Sequence, residues 1–188
     1  MKLTERMDWP GGPLELELDL QVLQLVSGSE IRVFSDSYSV DDDEIVFSLG
    51  TKNDSGPLHL YSIVSVPLAV VELSPGGWPV LGLEPLAEAG ITSPSPPTAA
   101  PRPSVRLYSI RLAEMQGHHE DIRIRAHGYR ISDNTLWFYF ELPRTEEVFD
   151  IASISADLLD GAPSEAVAEI GNGPDLLVAF ARVPPLGT

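Results

Sequence analysis

The chain has 188 residues, no cysteine and a formal net charge of −16, with 43% hydrophobic and 21% charged residues. These values belong to a soluble globular protein with room for a core, and they exclude disulfides, thiolate metal sites and a cysteine nucleophile. The negative charge disfavours direct binding to nucleic acid and to anionic membrane, and it favours solubility or steering onto a basic partner.

The first twelve residues, MKLTERMDWPGG, lack an apolar core and carry Glu5 and Asp8, so they do not read as a secretory signal. No apolar run approaches the roughly 20 residues that a membrane-spanning helix needs. A cytoplasmic protein is therefore expected. Leu14–Leu20, LELELDL, alternates apolar and acidic residues, as a half-buried strand does.

Ile31 to Leu49 reads IRVFSDSYSVDDDEIVFSL, and Ile122 to Phe140 reads IRIRAHGYRISDNTLWFYF. Set 91 residues apart, they share Ile31/Ile122, Arg32/Arg123, Tyr38/Tyr129, Asp42/Asp133 and Phe47/Phe138. Amino-acid usage would give about one identity by chance in such a window. The same spacing lays Leu14–Leu20 on Val105–Arg111. A spacing of 88 lays 60–66 (LYSIVSV) on 148–154 (VFDIASI), and one of 100 lays 80–86 (VLGLEPL) on 180–186 (FARVPPL).

The expected fold is thus all-β with a minor helix: two tandem, diverged β-sandwich or small-barrel repeats packed on each other. The repeats span 10–86 and 104–186, joined by a Pro/Ser/Ala-rich linker over 87–103. A short helical insert is expected near 164–175, opened by Pro163 and stopped by Gly171.

In each repeat two strands flank turn residues, Asp41–Glu44 in the first and Ser132–Thr135 in the second. Opposed residues share a face, so Tyr38, Val40, Ile45, Phe47 and Leu49 form one core side and Tyr129, Ile131, Leu136, Phe138 and Phe140 the other. The remaining faces differ. The first carries serines at 35, 37, 39 and 48, while the second carries Arg130, Trp137 and Tyr139, with Ile122 and Ile124 continuing that side in the absence of a bulge. Such a platform is either covered by the rest of the chain, or a partner or homo-oligomer interface, or a small-ligand site such as one for a sugar.

Other clusters carry less. His118 and His119 are adjacent and point to opposite sides of an extended chain, so they do not chelate one ion, and no metal or cofactor is expected. Asp41, Asp42, Asp43 and Glu44 lack the glycine and alternate spacing of a calcium loop and read as a solvated hairpin tip or a docking point for a basic partner. The glycines of 74–79 and 171–174 lack the strand–glycine–helix context of a phosphate loop. The sequence therefore points to a non-enzymatic acidic binding or assembly protein working through the second repeat's aromatic face. The alternatives are an inhibitor, immunity-type or nucleic-acid-mimic protein that neutralises a basic partner, and a ligand-binding protein or enzyme using His127, Arg130 and nearby carboxylates at the repeat junction.

Overall fold

The structure is a computed structural model that describes residues 3–9, 12–51, 59–84, 104–117, 119–141 and 148–172. Its described strands, in chain order, are β1 (Leu3–Trp9), β2 (Gly12–Gln24), β3 (Glu30–Ser35), β4 (Ser37–Val40), β5 (Glu44–Thr51), β6 (His59–Pro67) and β7 (Leu81–Glu84), then β8 (Arg106–Arg111), β9 (Asp121–Ala126), β10 (Gly128–Ser132), β11 (Thr135–Glu141), β12 (Val148–Ser155) and β13 (Val167–Asn172). All pair antiparallel. One sheet runs β1-β2-β3-β12-β11-β10, with β7 also beside β2, and the other runs β13-β8-β9-β6-β5-β4. Among the described residues no helix is long and apolar enough to cross a membrane.

Each sheet is built from both halves of the chain. Strands β2-β3 of the first half are joined to β12-β11-β10 of the second, and β8-β9 of the second to β6-β5-β4 of the first. The chain changes sheets at Asp36 and again at His127, whose amides donate to the carbonyls of Ser48 and Tyr139. The joints match residue for residue. Val33 and Arg32 face Ala152 and Ser153, while Ile124 and Arg123 face Val64 and Ser65. Both β5–β6 and β11–β12 slip register at the same place, after Phe47 and after Phe138. Single hydrogen bonds repeat as well: Val26 N–H to Val70 O is matched by Ala113 N–H to Leu158 O, and Leu68 N–H to Asp43 O by Ala156 N–H to Asn134 O. This correspondence is compatible with a tandem duplication.

Two details differ from the sequence reading. Val33 pairs with Gln21 and Ile124 with Tyr108, so β2 and β8 correspond at a spacing of 87 rather than 91. The cause is the loop from Leu112 to Glu120, longer by four residues than the turn from Leu25 to Ser29. The helix expected over 164–175 is a single turn, Pro163–Ala166, after which Val167–Asn172 pairs with β8 as β7 pairs with β2. A free sheet edge recruits the β-branched Val167 and overrides the local helix signal. The segment 180–186 lies outside the described residues.

One core fills the space between the sheets, and it draws Ile31, Ile45, Phe47 and Leu49 together with Ile122, Leu136, Phe138 and Phe140. β9 shows the cause at its simplest: Ile122, Ile124 and Ala126 are buried and Asp121, Arg123 and Arg125 face out. On the short edge strands the expected core positions open up, with Tyr38 and Ile131 exposed. Because each sheet contains both halves, Phe47→Ala and Phe138→Ala should each cost about 3–5 kcal/mol and leave one cooperative unfolding transition in urea. Two separate transitions would show that the halves fold independently.

Candidate functional site

The β10–β11 hairpin closes through Asp133 and Asn134, both with positive φ (50° and 59°), as a two-residue turn requires. That turn sets Arg130 opposite Trp137 and Gly128 opposite Tyr139, on the side facing away from the sandwich. The Arg130 guanidinium lies 5.9 Å from the Trp137 ring centroid, a cation–π distance. It also makes two 2.7 Å hydrogen bonds to the carboxylate of Asp150, which is only 5% exposed against 27% for Arg130. This bidentate pairing fixes the guanidinium plane beside the indole.

Asp150 reaches that position through the β11–β12 register slip. Phe138 faces Ala152 but Tyr139 faces Asp150, so Ile151 is the extra residue and is buried. Gly128 serves the same arrangement. A Cβ there would sit 2.6 Å from the Tyr139 hydroxyl, so only glycine lets this ring lie across the edge strand. Burial is the largest influence on the Tyr139 phenol and raises its pKa; Glu141 raises it further, against Arg130 and Arg106. Next along the row come Ser153, opposite Trp137, and Arg32, opposite Ser153 and bound to Glu30 at 2.6 Å. On this side of the sheet Leu20, Val22 and Phe34 are buried to 3% or less, whereas Arg130, Trp137 and Tyr139 are half-buried. The face is thus covered at Leu20, Val22 and Phe34 and open from Arg32 across to Arg130, Trp137 and Tyr139.

Ile122 and Ile124 do not belong to this surface. They lie in β9 of the other sheet, fully buried, because the change of sheets at His127 breaks the alternation that would have carried them along. His127 itself accepts the Glu141 amide at Nδ1 (2.7 Å) and stands edge-on to Phe140. Asp41, Asp42 and Asp43 are exposed at the β4–β5 tip, and Glu44 is turned back to accept from the Ser65 hydroxyl. His118 lies outside the described residues, and His119 is exposed 3.5 Å from Glu114. Among the described residues no group of three His, Cys, Asp or Glu is placed to hold a metal ion.

Comparison with protein-family models, with curated proteins and with solved structures gives no match. The site therefore rests on its own geometry. The residue that sequence reasoning missed is Asp150, twenty positions from Arg130 and visible only as a lone carboxylate within the strand VFDIASI. Replacing Arg130 by Ala leaves this buried carboxylate without its counter-charge, with an expected cost of about 2–3 kcal/mol in denaturant unfolding. Removing Asp150 as well should recover part of that loss in a double-mutant cycle.

Proposed function

We propose that this is a non-enzymatic acidic binding or assembly protein that meets another protein chain through the open part of the β10–β11 face. The observation that carries this reading is the Arg130–Trp137 pair anchored by Asp150. Trp, Tyr and Arg are the side chains that anchor protein interfaces, and a guanidinium already held in place loses little further freedom on binding. A binding reading is supported by the neutralisation of Arg130 by Asp150 and by the use of His127 Nδ1 as acceptor for the Glu141 amide. Sedimentation should show an assembly at micromolar protein that Trp137→Ala with Tyr139→Ala dissolves while the strand signal in circular dichroism stays intact. Loss of folded structure in that variant would make the pair structural and refute the interface.

A second reading, neutralisation of a basic partner, draws support from the topology. Pairing of Ile31 with Ile154 brings the turn at 25–29 beside the segment after β12, and both hairpin tips lie at this same end of the sandwich. Exposed Asp41, Asp42, Asp43, Asp133, Asp157 and Asp160 are gathered there. The two readings have opposite salt dependence. Copies each carrying a charge of −16 repel, so self-association should strengthen with added salt, while capture of a basic protein should weaken. For the second reading, changing Asp41, Asp42 and Asp43 to Asn should weaken retention on immobilised poly-lysine more than changing Glu84, Glu141 and Glu169 to Gln at the other end.

A further inference from the structure

At one side of the sandwich the two sheets do not end together. β5 packs against both β2 and β3, so its neighbour β4 ends its sheet beneath β2, while the sheet above runs on as β7. Pairing register sets the side chains of this overhang. Leu83 stands opposite Gln21 and Leu81 opposite Leu23, so both face inward. Tyr38 and Val40 of β4 also face inward, opposite Phe47 and Ile45. Leu83 is 70% exposed and Tyr38 47%, because no described strand of the second sheet continues beyond β4.

The backbone of β4 is open on the same side. The Asp41 amide donates to the Glu44 carbonyl, and hydrogen-bonded pairs alternate along an antiparallel ladder, so Ser39 and Val46 form the next such pair. Tyr38 and Val40 therefore turn their N–H and C=O groups outward, where no described strand pairs with them. Edge strands are commonly guarded by lysine or proline, and β4, SYSV, carries neither. The other side of the sandwich differs. There β13 holds Glu169 at the place of Leu83, and its carboxylate is tied to Arg106 at 2.9 Å. On β4 to β7 and the turns between them, the described charged side chains are all acidic: Asp41, Asp42, Asp43, Glu44, Glu72 and Glu84.

We propose that β4 accepts an added strand from a basic polypeptide, which extends the second sheet beneath β7. The backbone of that strand pairs with the outward N–H and C=O groups of Tyr38 and Val40. Its inward apolar side chains cover Tyr38 and Leu83, and its lysines or arginines meet Asp41, Asp42 and Asp43 at the end of β4. The added strand lies beside β4 and outside the closed core. Its partner class is that of the neutralising reading above, but charge alone does not make this contact. An extended segment in which apolar and basic residues alternate is required, since alternate side chains face opposite sides of a strand.

The test is titration of the full chain with acetyl-KVKVKVK-amide, acetyl-KGKGKGK-amide and acetyl-EVEVEVE-amide, followed by amide NMR. The lysine–valine peptide alone should give saturable shifts at Tyr38, Val40 and Leu83 and slow hydrogen exchange at the Tyr38 and Val40 amides. Equal binding of the lysine–glycine peptide would leave charge neutralisation standing and overturn the added strand. Binding of the glutamate–valine peptide at least as tightly would overturn the basic partner. Tyr38→Pro removes an outward donor, a change that edge strands tolerate, and Leu83→Ser removes an exposed apolar contact. Each should weaken binding of the lysine–valine peptide about tenfold with the fold intact. No saturable shift with that peptide, or binding that neither variant alters, would overturn the proposal.

Discussion

The pairing of β3 with β12 and of β9 with β6 is the constraint on which the rest depends. At each joint a branched residue on one strand, Val33 or Ile124, meets a small or branched one on the other, Ala152 or Val64. Beside it an outward arginine, Arg32 or Arg123, meets a serine, Ser153 or Ser65. These are the only places where the two halves join within a sheet among the described pairings, and without them each half would expose two open sheet edges. Exchange of strands at Asp36 and His127 converts two marginal units of about 75 residues into one core.

That exchange also explains why corresponding positions in the halves can differ in chemistry. Both outward faces are framed by the same backbone hydrogen bonds, so the side chains on them are free to vary without altering the register. Strands β4, β5 and β6 present Ser39, Val46 and Ser65 where β10, β11 and β12 present Arg130, Trp137 and Ser153. The register slip after Phe47 sets Ser48 opposite Ser62, and the same slip after Phe138 sets Tyr139 opposite Asp150. One geometric device thus yields a small polar surface in one place and an anchored aromatic one in the other.

The inward faces show the same divergence with a different outcome. Hydrophobic burial requires that the middle of the core be filled, and the Phe47 and Phe138 rings do so in both halves. At the sides of the sandwich the demand is weaker. There the second half places the Tyr108 ring where the first places Gln21, and Gln21 Oε1 and Ser35 Oγ are buried without hydrogen-bond partners. Each such unpaired atom costs about 1–3 kcal/mol of folding stability.

The sequence by itself determined the two hairpins with their turns and the inward rows apart from the edge positions Tyr38 and Ile131. Alternation in IRIRA and LWFYFEL is local, and the repeat at a spacing of 91 showed that the pattern occurs twice. It also placed Arg130, Trp137 and Tyr139 on one surface, because the β10–β11 turn is local. Only the tertiary structure decided which strands share a sheet. A change of sheets at a single residue leaves no periodic mark, so Ile122 and Ile124 looked continuous with Arg130 although they lie in the opposite layer. Asp150 was hidden for the same reason: its role comes from a partner brought near by long-range pairing, and alternation along one strand carries no information about the strand beside it.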